Sequence, residues 1–203
     1  MIPEAPVHIA EIDFPQLYAE VFGSLDSSTK FYETIRSLPD SKKDAKIVFH
    51  QAGRMVWLAD KIDEVARGRP AFQILFYLIA AELVAKIAAG YEGEGQSRSH
   101  VQKFFTEICS SESKQRLSRA FRHAGGVHLS LTSAVDLLYD VRCDVVHRGL
   151  YYTFSLQRSG SSMPMLSNVH EYSPIAEISL LELRQIVLEG AALAAKRIAE
   201  IGE

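Results

Sequence analysis

Residues 71–90, "AFQILFYLIAAELVAKIAAG", constrain this chain more than any other segment, because they would carry apolar side chains around most of a helix's circumference. Such a helix must be covered on all sides, by lipid or by other helices. The run has nearly the length of a membrane span, yet Glu82 and Lys86 lie inside it. They stand i, i+4 in the order that favours a helical ion pair, and charges facing lipid are costly. The segment therefore predicts a central core helix wrapped by others, with no role for a membrane. A chain of 203 residues, 47% apolar and 23% charged, is long enough and ordinary enough in composition to build that core.

The flanking segments supply the wrapping. In "SKKDAKIVFHQAGRMVWLADKIDEVARG", residues 41–68, apolar side chains fall at 47, 48, 52, 55, 56, 59, 62 and 65, a stripe of helical period ended by Gly68 and Pro70. Ahead of it, Pro3, Pro6 and Pro15 break an N-terminal arm, and "DSSTKFYETIRSL" predicts a short capped helix before Pro39. After the core helix, "GYEGEGQSRSH" (90–100) is a glycine- and serine-rich loop that lacks the strand and Lys-Ser/Thr of a phosphate loop. A helix is predicted over 99–109, then a basic one in "SKQRLSRAFRHA", where Arg119 and Arg122 share a face that is either solvated or a nucleic-acid contact. The period then changes: "LYYTFSLQ" and "MLSNVHEY" read as the two strands of a hairpin at about 150–172. "SLLELRQIVLEGAALAAKRIAEI" opens with a capping box, Ser179 to Glu182, and predicts a long terminal helix. The expected fold is mainly α, one domain over 1–203. Residues 1–39 form an arm and short helix, and 40–203 form a helical bundle with a β-hairpin inserted before its last helix.

The net charge of −3 gives no overall attraction to nucleic acid or anionic membrane, though a local basic groove remains compatible with it. Cys109 and Cys143 lack metal-ligand spacing and read as buried reduced thiols. The first residues show no basic stretch followed by an apolar one, so a cytoplasmic location is expected. His123 and His128 have no carboxylate or cysteine pattern beside them, and neither a metal nor another cofactor is expected.

The chemistry concentrates in "LYDVRCDVVHRG", residues 138–149. On an α-helix Asp144 lies one turn below His147 and can accept a hydrogen bond from its ring, fixing its tautomer. Arg142, five residues before His147, would sit about 140° round the helix, so the two flank a groove only if a second surface closes over that side. His147 and Arg148 occupy the last turn before Gly149, where the negative end of the macrodipole favours a protonated imidazole. A cation, a tunable histidine and a carboxylate suffice for metal-free RNA cleavage, in which a ribose 2′-hydroxyl attacks the adjacent phosphorus. From spacing alone the plain alternative is favoured: Asp144 and Arg148 are i, i+4 and form an ordinary surface pair.

An apolar helix, a long helix ending Arg142-Cys143-Asp144-Val145-Val146-His147 and a final helix together resemble the HEPN superfamily, over roughly residues 71–203. These are small helical domains of prokaryotic toxins, defence systems and some eukaryotic ribonucleases. The resemblance implies a metal-independent endoribonuclease with Arg142 and His147 as catalytic residues. It also implies a homodimer whose two motifs meet in one composite site, RNA as substrate, and an antitoxin or nucleotidyltransferase as partner. Asp144 is the orienting candidate and Arg148 the substrate-binding one. Two positions depart from the family pattern. Cys143 stands where the family carries Asn, Asp or His, and Gly149 stands where the nucleotidyltransferase-neutralised toxins carry a tyrosine. The alternative is a catalytically inactive HEPN-like module that binds RNA, a nucleotide or a protein.

Overall fold

Pro70 opens the central helix, α4 (Pro70–Ala88), at the position where its missing N–H costs nothing. The structure is a computed structural model and describes residues 11–123, 125–152, 154–159, 163–164 and 174–201. Ile74, Leu78, Ala81, Val84 and Ala85 of α4 are buried, and the helix packs chiefly on α3 (Lys43–Val65) and α8 (Leu180–Ala199). On its remaining sides lie α5 (Ser97–Lys103) and α7 (Leu131–Cys143). By length and composition α4 alone among the described residues would reach across a membrane. Half of its most apolar stretch is buried within the bundle.

The buried residues of α3 include Ala45, Val48, Phe49, Ala52, Val56 and Ala59, a stripe of helical period. The expected stripe is thus right at its centre and wrong at its ends, because Ile47 and Val65 turn to solvent. Before α3 come α1 (Phe14–Tyr18), capped by Asp13, and α2 (Leu25–Ser37), capped by Ser24. They close the bottom of the core: Tyr18 stacks on Phe49 with centroids 4.2 Å apart and donates its hydroxyl to the Phe49 carbonyl at 3.0 Å. On α8 the capping box forms as expected, with the Ser179 hydroxyl accepting from Glu182 N–H and the Glu182 carboxylate accepting from Ser179 N–H.

Two expectations are corrected. The basic segment is not one helix: α6 (Ser111–Ser118) stops short, and Phe121–Arg122 form a strand, β1. Phe121 is fully buried, a demand that an exposed helix could not meet. Arg122 pairs with Glu177 at 2.6 Å and Arg116 with Glu182 at 2.5 Å, so half of the supposed basic face is consumed by intramolecular pairs. The hairpin is real but lies elsewhere. β2 (Met163–Pro164) and β3 (Ile175–Ala176) pair antiparallel, and β1 joins the other edge of β3. Residues 154–157, the second half of the expected first strand, and 158–159 after it carry no strand pairing. Their alternation is genuine, since Phe154 and Leu156 are buried with Ser155 between them. Their carbonyls, however, serve a helix end: Gln157 accepts from Leu180 N–H at 2.9 Å and Arg158 from Leu181 N–H at 3.2 Å, satisfying two orphan donors of α8. The expected return strand, 165–172, lies outside the described residues.

Candidate functional site

Helix α7 starts at its Ser130 cap and buries Ala134, Val135, Leu137, Leu138 and Val141. Beyond Cys143 the helix does not stop but widens. Residues Asp144–Arg148 form a π-turn, and the Gly149 N–H reaches back five residues to the Asp144 carbonyl. Gly149 takes φ +66°, a conformation that a side chain would strain, and Leu150 N–H bonds the same carbonyl at 3.0 Å. The π-turn alters the geometry that an α-helix predicts. A wider turn carries position i+5 towards the face of i, so Arg142 and His147 are less than the α-helical 140° apart. The same widening swings i+3 away and leaves i+4 close.

That explains how the carboxylate is used. Asp144 binds the Arg148 guanidinium at 3.1 Å, and among the described residues no hydrogen bond joins it to His147. Arg148 is exposed, and the imidazole of His147 is open to solvent beside exposed Val146. Past the glycine, Tyr151 stacks on Phe72 of α4 at 4.8 Å, and Tyr152, mostly exposed, meets it edge-on. The motif thus ends in a patch containing a histidine, a valine and a tyrosine, all accessible.

Arg142 points the other way, into a polar hub between α4, α5 and α7. Its Nη2 lies 3.2 Å from Glu82 Oε2, its Nη1 donates to the Tyr139 hydroxyl at 3.3 Å, and its Nε is buried with no partner. The guanidinium also lies 5.2 Å from the Tyr139 ring centroid. Glu82 is itself anchored through Oε1, which accepts from Ser97 Oγ at 2.7 Å and pairs with Lys86 at 2.8 Å. Burial pushes the Glu82 carboxyl up, but these hydrogen bonds and the Lys86 and Arg142 charges outweigh it and hold the group below the usual carboxylate range. A fixed carboxylate therefore presents one oxygen to the arginine.

The i, i+4 pairing of Glu82 with Lys86 is as expected, but its second partner, sixty residues away in sequence, was beyond local reading. Ser97 and Tyr139 were likewise not singled out. The only hint was a charged residue left inside an otherwise apolar core helix. Cys143 is half-buried and Cys109 buried, both as free thiols. Among the described residues, no three His, Cys, Asp or Glu side chains converge as metal ligands. The set that is assembled offers an anchored guanidinium, an accessible imidazole and a second, exposed guanidinium. It suits proton transfer and the binding of a phosphoryl group. No family model, no curated protein and no solved structure matches this chain.

Proposed function

We propose that the chain is a metal-independent endoribonuclease of the HEPN toxin or defence type, acting as a homodimer in the cytoplasm. The observation that carries this reading is the π-turn after Cys143, which narrows the angle round the helix axis between an anchored Arg142 and an exposed His147. Widened turns of this kind recur at functional sites.

The chemistry assigned to the pair is transesterification. The substrate's 2′-oxygen attacks the neighbouring phosphorus, and the P–O5′ bond breaks. The 2′-hydroxyl loses a proton and the departing 5′-oxygen gains one, leaving a 2′,3′-cyclic phosphate and a 5′-hydroxyl. His147 moves the proton and Arg142 stabilises the charge on the non-bridging oxygens. Arg148, steadied by Asp144, holds the strand. A second protomer laid over the exposed end of α7 supplies the closing surface and a second histidine. An antitoxin or nucleotidyltransferase would act by covering that end.

The test is cleavage of a mixed set of RNAs in EDTA by wild type, Arg142→Ala and His147→Ala. Each substitution is expected to lower the rate by at least about 100-fold, the usual worth of a positioned acid–base group. Thermal unfolding should be unchanged for the exposed His147, with a lowered midpoint for Arg142, whose removal opens the hub around Glu82. A second reading, a silent HEPN-like module that binds RNA, a nucleotide or a protein, is favoured by one feature. The cations at the motif are all carboxylate-paired, Arg142 with Glu82 and Arg148 with Asp144. Binding without cleavage by wild type would select it.

A further inference from the structure

Arg142 is not the sole guanidinium on Tyr139. Arg98, from the first turn of α5, lies 5.1 Å from the centroid of the same ring, so one aromatic side chain carries two cations. Two aspartates on α7 steer Arg98: Asp140 bonds its Nη2 and Asp136 lies 3.7 Å from its Nε. These contacts leave Nη1 without a hydrogen bond among the described residues, on a side chain that is half exposed. Orientation by carboxylates on one edge of the fork, with the other edge open, is how a guanidinium is readied for a planar or tetrahedral anion.

The placement along α7 gives the order. Arg98 sits over Asp136, Tyr139 and Asp140, Arg142 follows within one turn, and His147 comes at the widened end. At 1.5 Å per residue the stretch from Tyr139 to His147 covers ~12 Å. A stacked strand advances ~3.4 Å per nucleotide, so the row is longer than one phosphodiester.

We propose that Arg98 is a substrate-binding residue, holding a backbone phosphate of single-stranded RNA that neighbours the scissile one held by Arg142. This rests on the ribonuclease reading and extends it from a two-residue motif to a strand-binding row built by α5 and α7. Arg98 contributes binding that is equal in ground and transition states, so its loss is felt in KM and affinity rather than in kcat.

The test uses a fluorescein-labelled, uniformly 2′-O-methyl RNA oligonucleotide, which binds but has no 2′-hydroxyl to attack. Its affinity is followed by anisotropy across a salt series for wild type, Arg98→Gln, Arg98→Lys and Asp136→Asn. Cleavage of the matching unmodified RNA is followed in parallel. Arg98→Gln is expected to weaken binding severalfold and to make the dependence of log K on log salt shallower by about 0.7, the share of one single-strand phosphate contact. It should raise KM and leave kcat in place. Arg98→Lys recovers the slope, and Asp136→Asn, which loosens the same ion pair but keeps the charge, leaves it intact. If wild type binds and cleaves while Arg98→Gln shows the wild-type slope and affinity, the Arg98 assignment falls and the ribonuclease reading stands. If Asp136→Asn weakens binding as much as Arg98→Gln, Arg98 is only a strut between helices and the assignment also falls. If wild type neither binds nor cleaves RNA, both are overturned.

Discussion

Gly149 is where a single residue decides whether the motif keeps its shape. Its φ of +66° closes the π-turn, and nothing lies within 4 Å of where a Cβ would stand, so a substitution there meets strain without steric conflict. Gly149→Ala should cost about 1–2 kcal/mol in urea denaturation, the penalty of a left-handed conformation for a side chain. It should lower cleavage further than that loss of stability explains, because the spacing of Arg142 and His147 depends on the turn. An unchanged midpoint would mean that the turn relaxes to another form. Asp144 makes a second residue-level statement. Because its carboxylate holds Arg148 and not the imidazole, Asp144→Ala should raise KM severalfold and leave kcat within about threefold. A collapse of kcat would restore the orienting role that α-helical spacing suggests.

Among the elements, the π-turns explain both what sequence reading reached and what it missed. Helix existence followed from apolar period: α3, α4 and α8 all appear where the pattern places them, and the Ser179–Glu182 cap fixes the start of α8. The period says nothing about a turn that widens by one residue, and Arg142 with His147 is a spacing that fits no α-helical face. The short sheet was illegible for a different reason. Phe154 and Leu156 alternate like a strand, yet the carbonyls that follow them, of Gln157 and Arg158, serve helix donors that no local rule points to. A second π-turn, Phe104–Ile108, presses against α8 at Gly190. A Cβ at Gly190 would stand 3.0 Å from Phe104 Cε2 and 3.2 Å from Cys109 Sγ, closer still to the ring tip. Phe104 is fully buried and cannot retreat. Gly190→Ala should therefore destabilise by ~1–3 kcal/mol, as overpacking of a tight core does, read as a lowered denaturation midpoint. A neutral result would show that the π-turn and α8 can separate without loss.

For the whole molecule, one half-buried and one buried histidine tie stability to pH from the acid side. Burial holds the imidazoles of His50 and His100 below their ordinary range, aided by Arg54 and Lys46 at the first and by Lys86 and Lys103 at the second. The Lys46 carbonyl at His50 and Glu82 at His100 oppose the shift without reversing it. His100 is the more demanding case, since neither ring nitrogen has a partner and the Tyr91 ring packs at 4.6 Å. The unfolded chain thus takes up more protons than the folded one once pH falls below about 6.5. Stability is full above that value and is lost as the medium acidifies. Urea midpoints should drop from neutral to mildly acidic pH, and His100→Phe should flatten that slope. A midpoint that holds or rises on acidification would contradict it.

The polar hub of Glu82, Lys86, Ser97, Tyr139 and Arg142 ties three helices together on one side of α4. The exposed end of α7 then faces outward with His147, Val146 and Tyr152. An anchored cation and an accessible imidazole carried by one helix are the pair on which the proposed function depends. Its most direct test is end-group analysis of RNA incubated with wild-type protein in EDTA, alongside the same RNA carrying a single 2′-deoxy at the cleaved position. The account predicts 2′,3′-cyclic phosphate and 5′-hydroxyl ends from the first and no cut at the substituted position in the second. Cleavage that survives the 2′-deoxy substitution, or that vanishes with EDTA, would contradict it.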